Sequence, residues 1–161
     1  IISAVRVDGE VVSSTRIRSL LTEGRMEEAN RLLGHPHSLV DTVRCGFRLG
    51  HKLGSPTINM QFAPGVLVPR HGVYAAKVFL DDGTERMAVT NVGVRPTVSG
   101  GDHVSVESYI LDYDGDLYDH RVRVEFHHFI RDERRFPDTE ALREQIQRDA
   151  NTTREYFAAN V

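Results

Sequence analysis

At 161 residues with 40% hydrophobic side chains, the chain is long enough to bury one main core. A formal net charge of −3 excludes a broadly basic surface, so nucleic acid would need a local patch. Cys45 is the single cysteine, which rules out an intrachain disulfide, and no apolar run approaches bilayer-spanning length; the chain reads as cytoplasmic, acting on small molecules without nucleic acid or membrane.

Ile1 to Val7 has neither the basic start nor the long apolar core of a signal peptide, and no initiator Met is present. The sequence reads as a piece of a longer protein. From Ser13 to Gly34 the signals are helical. Ser13, Ser14 and Thr15 offer N-caps, Ile17, Leu20 and Leu21 share a face, and Gly24 stops the turn. A second short helix fits Met26 to Leu33, closed by Gly34. After His35-Pro36-His37 the period becomes alternating. Gly72 to Leu80 and Glu85 to Thr90 flank Asp81-Asp82-Gly83-Thr84, which predicts a β-hairpin. His103 to Leu111 and His120 to Ile130 flank Asp112 to Asp116 and predict another. In the last strand Val122, Val124, Phe126, His128 and Ile130 are expected on one face, with Arg121, Arg123, Glu125 and His127 on the other. Asp138 caps a terminal helix with Leu142, Ile146, Ala150, Thr153 and Phe157 on one stripe. About six short strands and a terminal helix predict a mainly β chain: a closed or nearly closed antiparallel barrel with the helix packed outside.

Gly50-His51-Lys52-Leu53-Gly54-Ser55-Pro56-Thr57-Ile58-Asn59 combines two loop glycines with a hydroxyl and a carboxamide oxygen. Backbone N–H groups freed by glycine suit phosphates, and hard oxygens suit Mg²⁺. The same residue types are the commonest turn formers, so the segment alone also fits an ordinary loop. Glu107 lies opposite the apolar face of Val104, Val106 and Ile110, where a solvated carboxylate and a cleft residue look alike. Asp112, Asp114 and Asp116 lack the glycine and glutamate positions of a calcium loop and read as a hairpin turn. His127 and His128, adjacent in a strand, are expected on opposite faces, which argues against a shared metal ion. No serine sits in a GxSxG elbow. Arg131 to Phe136 is either a solvated connection or, with its arginine and aromatic, a grip for a planar ligand.

Several segments taken in order resemble the riboflavin kinase module of bacterial bifunctional riboflavin kinase/FAD synthetases, and the stand-alone eukaryotic riboflavin kinases. They are Gly50-x-x-Leu53-Gly54-x-Pro56-Thr57-x-Asn59, His71-Gly72-Val73-Tyr74, Asn91-Val92-Gly93-Val94-Arg95-Pro96-Thr97, Val106-Glu107 with Leu111-Asp112, Asp116-Leu117-Tyr118, and Arg131-x-Glu133-x-x-Phe136 with Gln145-Ile146-x-x-Asp149. The resemblance covers residues 35–161 and implies a six-stranded Greek-key barrel that makes FMN from riboflavin and Mg-ATP. It implies ATP binding by Gly50, Lys52, Gly54, Pro56, Thr57 and Asn59, Mg²⁺ at Thr57 and Asn59, Glu107 as general base, and Arg131 and Phe136 at the flavin. Residues 1–34, through Val12-Ser13-Ser14-Thr15-Arg16-Ile17-Arg18, resemble the end of an FMN adenylyltransferase domain, to which such kinases are normally fused. FAD synthetase activity is therefore not expected from this stretch. His51, Ser55, Ile58, Asp41 and Asp119 depart from the usual pattern, the last two where glycine is common. Two other readings are a flavin- or nucleotide-binding module without catalysis, and a barrel binding single-stranded nucleic acid. The second is opposed by the net charge and by only 7% aromatic content.

Overall fold

The computed structural model describes residues 5–44, 57–96 and 102–160. Gly50, Lys52, Gly54 and Pro56 lie outside that set.

A hairpin of β1 (Arg6–Val7) and β2 (Glu10–Val11) opens the chain. Its turn places Asp8 at φ 51° and Gly9 at φ 81°, the positive φ at both central residues that an Asp-Gly pair favours. Helix α1 (Ser14–Glu23) begins where the Ser13 hydroxyl accepts the Arg16 N–H at 3.1 Å, and ends at Gly24 with φ 80°. Helix α2 (Met26–Leu33) closes at Gly34 in the same left-handed conformation. Both helices match their sequence-derived bounds. They dock through Leu20, Leu21, Met26, Ala29 and Leu32, which join the barrel core. Asn30 locks the contact: its Nδ2 donates to the Phe126 carbonyl at 2.8 Å, and its Oδ1 accepts the His37 N–H at 2.7 Å.

Strands β3 (His37–Thr42), β4 (Thr57–Met60), β5 (Gly72–Phe79), β6 (Glu85–Pro96), β7 (Asp102–Ile110) and β8 (Arg121–Arg131) form one six-stranded antiparallel sheet in the order β3-β8-β5-β6-β7-β4. Strands β5, β6 and β7 form a meander, and β8 returns beside β5, the Greek-key arrangement. The sheet curls until its edge strands meet at an Arg44–Asn59 bridge. Tyr74, Val92, Val106, Val124 and Phe126 fill the interior, where the buried Thr90 and Ser108 hydroxyls satisfy each other at 2.8 Å. Helix α3 (Thr139–Ala159), capped by Asp138 as predicted, lies outside. Its Ala150 joins Val73, Val89 and Leu111 in a second, smaller core.

Two expectations about the last strands are corrected. The segment from Asp112 to Asp116 is not a hairpin turn, because β7 pairs with β6 and β4 whereas β8 pairs with β5 and β3. It is the long Greek-key crossover, anchored by buried Leu111 and Leu117. Nor does β8 alternate throughout. Its register with β5 slips by one residue between Val73 and Tyr74 and again between Ala75 and Ala76, the mark of β-bulges. Phe126 and Phe129 consequently both meet Tyr74 edge-on, with ring centroids 5.3 Å apart in each pair. His127 packs against Phe157 and His128 stacks on Tyr156, so both reach the end of α3 instead of opposite faces. Gly72 permits this bend: a Cβ there would lie 2.5 Å from Phe129 and 2.6 Å from the Arg131 carbonyl.

His37 stacks beside Phe62, and its Nε2–H donates to the Leu67 carbonyl at 3.0 Å. Burial pushes its pKa below the ordinary 6.5, and burial does the same to His127 against the opposing pull of Glu125. In the unfolded chain both imidazoles take up protons first. Their contribution to stability is therefore complete above about pH 6.5 and is lost as pH falls through the lower folded values. Denaturant midpoints should drop between pH 7.5 and 5.5, and His37→Gln, which keeps a donor but cannot titrate, should flatten that slope. An unchanged slope would show that His37 is solvated in the folded state.

Candidate active site

Strand pairing assembles the site. Asn59 is opposite Glu107, and Glu107 is opposite Asn91, so β4, β7 and β6 place these three residues in one row. Thr57, Tyr109 and Val89 form the next row. Because Ile58, Val106 and Ser108 are buried in the barrel, the period of two turns the other set outward. Ile58 thus fits inside the barrel, away from Thr57 and Asn59, as its alternation predicts. The Thr57 hydroxyl donates to Glu107 Oε1 at 2.8 Å. That bond fixes the carboxylate and leaves the hydroxyl oxygen's lone pairs available to a cation.

Over this face lies a cavity of about 600 Å³. Its apolar walls are Val73, Val89 and Tyr109 from the sheet, Leu142 and Ile146 from α3, and Phe136 from the connecting loop. Leu142 and Ile146 remain half-buried, whereas Ala150 and Thr153 of the same stripe are buried, because the first two face this space. Thr57 and Glu107 line it, together with Asn91, Arg95, Arg131 and Glu133. Asn59 stands beside the cavity wall and not in it.

The charged groups are held by specific partners. Arg131 grips Asp149 through Nη2 at 2.8 Å and Nε at 3.1 and 3.2 Å, while Gln145 donates to the same carboxylate at 2.9 Å. The Asp149 side chain is 3% exposed, so the pair pins α3 to β8. Its guanidinium also lies 5.8 Å from the Phe136 ring centre. Glu133 accepts from Asn91 at 3.1 Å and from Arg95 at 3.3 Å, fastening the loop that carries Phe136 to β6. The backbone of Gly93 leaves room for that carboxylate, which a Cβ would strike.

Four of the sequence-derived site residues, Thr57, Glu107, Arg131 and Phe136, therefore share one cavity. Asn91, Arg95, Glu133 and Asp149 were not assigned roles from sequence, although they belong to the segments that carry the resemblance. Only the folding of the loop after β8 onto β6, and the docking of α3 on β8, show which partners they meet. Among the described residues no group of three or more His, Cys, Asp or Glu is placed to hold a metal ion. Thr57, Asn59 and Glu107 offer instead a hydroxyl, a carboxamide and a carboxylate, hard oxygens that suit Mg²⁺.

A curled Greek-key sheet with a cavity between its outer face and one helix, floored by a carboxylate, defines a small-ligand barrel enzyme. The family model described as Flavokinase, riboflavin kinase, matches residues 33–157, and the chain belongs to the riboflavin kinase family. It is similar to proteins named bifunctional riboflavin kinase/FMN adenylyltransferase from Pseudomonas fluorescens, at 42% identity over 93% of this chain and 48% of that one. Those of Listeria monocytogenes and Escherichia coli are 37% and 38% identical, over 91% and 92% of this chain and 46% and 47% of theirs. The chain thus spans about half the length of these relatives. A crystal structure of a Streptococcus pneumoniae protein named macrolide-efflux protein is similar with a TM-score of 0.85 and 31% identity, covering 95% of this chain and 50% of that one. Among the described residues no helix is long and apolar enough to cross a membrane.

Proposed function

We propose that the chain transfers the γ-phosphoryl group of ATP to the terminal ribityl hydroxyl of riboflavin, giving FMN and ADP. The observation that carries this reading is the Glu107 carboxylate, held by the Thr57 hydroxyl in a cavity with apolar walls. The apolar walls suit a flat ring system, and the polar floor suits its hydroxylated tail. Glu107 accepts the proton as the hydroxyl oxygen bonds to phosphorus and the bond to the ADP oxygen breaks. Phosphoryl transfer needs mainly positioning and charge neutralisation, so one carboxylate with ordered neighbours is a sufficient protein contribution. Thr57 and Asn59 would hold Mg²⁺, which when bound offsets the negative charge of the phosphates. Gly50, Lys52, Gly54 and Pro56 are assigned to ATP on the sequence pattern, and Arg131 and Phe136 to the flavin on their place at the cavity.

Residues 1–34 are read as the end of an FMN adenylyltransferase domain, and 35–161 as the kinase domain. The start of the family match at residue 33 and the two-part names of the relatives support that reading. Incubation with riboflavin, Mg²⁺ and ATP followed by chromatography should show FMN and no FAD. Riboflavin binding without FMN would identify a binding module instead. Asn59→Ala should raise the Mg²⁺ concentration needed for half-maximal rate and leave riboflavin affinity unchanged, because water replaces the carboxamide without its fixed orientation. A wild-type Mg²⁺ dependence would remove Asn59 from the metal site.

A further inference from the structure

Where β3 and β4 meet, the curled sheet has a seam in place of a full ladder. The Arg44 N–H donates to the Asn59 carbonyl at 2.7 Å. From the β3 side, the Asp41 carboxylate reaches across and accepts the backbone N–H of Gln61 at 3.0 Å. The same carboxylate accepts from Arg44 Nε at 2.9 Å, and the Asp41 side chain is only 17% exposed. Asp41 therefore holds the two residues that bracket Asn59: Arg44 across the seam and Gln61 further along the chain. A short strand joined on one side by a single bridge frays easily, and a charge-assisted bond to its exit resists that.

We infer that Asp41 is a positioning residue for β4, a staple across the seam that fixes the backbone from which Asn59 presents its carboxamide. The inference rests on the proposed reading of Thr57 and Asn59 as cation ligands. Hydrogen bonds behind a ligand orient it, and losing one typically weakens metal binding by about 10- to 100-fold.

The test compares Asp41→Ala and Asp41→Asn with the wild type, at a temperature where all three keep the same circular dichroism. In the ligand-free protein, amide hydrogen exchange at Gln61 should accelerate in Asp41→Ala and stay near wild type in Asp41→Asn, whose carboxamide oxygen still accepts. The Mg²⁺ concentration for half-maximal FMN formation should rise roughly tenfold in Asp41→Ala, with the riboflavin KM unchanged, and Asp41→Asn should recover most of it. Unchanged Gln61 exchange in Asp41→Ala would overturn the staple. Faster exchange with an unchanged Mg²⁺ requirement would overturn the positioning role, provided Asn59→Ala raises that requirement. If Asn59→Ala does not, the metal reading of β4 is what fails, and Gln61 exchange alone decides the staple.

Discussion

Glu107→Gln should slow FMN formation by roughly 10²- to 10⁴-fold, the usual worth of a positioned general base, while riboflavin still binds. The substitution keeps size and shape, and the Thr57 hydroxyl, 2.8 Å from the native carboxylate oxygen, can donate equally well to the amide oxygen. What the amide cannot do is take the proton that the ribityl hydroxyl must give up. The apolar walls proposed to hold the ring system come from other residues, so the loss belongs in kcat and not in riboflavin affinity. Single-turnover rates with saturating Mg-ATP, set beside a riboflavin titration, separate the two. A wild-type rate would remove Glu107 from the chemistry.

Asp149→Leu should destabilise the fold by about 3–5 kcal/mol, because it leaves the Arg131 guanidinium half-buried without its anion. The native carboxylate is 3% exposed and takes three contacts from Arg131 and one from Gln145. For a chain of this size that loss lowers Tm by roughly 10 °C. Replacing both partners, as in Arg131→Met with Asp149→Leu, should restore much of the stability, since the cost lies chiefly in the orphaned charge. Because the pair joins α3 to β8 beside the cavity, riboflavin affinity should fall in the single variant even below its melting range. A double variant no more stable than the single would show that the pair is worth its full deletion cost.

Local signals and long-range pairing were not equally legible. The helices followed from Ser13, Gly24, Gly34 and Asp138, whose capping chemistry acts within a few residues. The alternation of β8 failed at His127 and Ile130 because the bulges answer to β5 and to Gly72, which the period of two cannot see. The hairpin expected around Asp114 failed for the same reason: nothing near Gly115 states that β8 pairs with β3 and β5. Thr57 and Glu107 could be singled out, but their hydrogen bond depends on the β4–β7 register. Asn91 and Glu133 had no visible relation at all until the loop folded onto β6. Asp119, noted where glycine is common, adopts φ 69°, a conformation that aspartate tolerates better than most side chains.

Placing the last strand in the middle of the sheet also sets the order of assembly. The meander of β5, β6 and β7 pairs strands that follow one another in the chain, whereas His37 and Thr42 must wait for Phe126 and Arg121. During synthesis β3 and β5 keep open edges until β8 has been made, and α1 and α2 lack the Phe126 that completes their packing surface. Such non-local pairing is slow, and open edges invite pairing with other chains. Slow translation near residue 120 would prolong that exposure, and a chain ending there would aggregate and not persist as a smaller barrel.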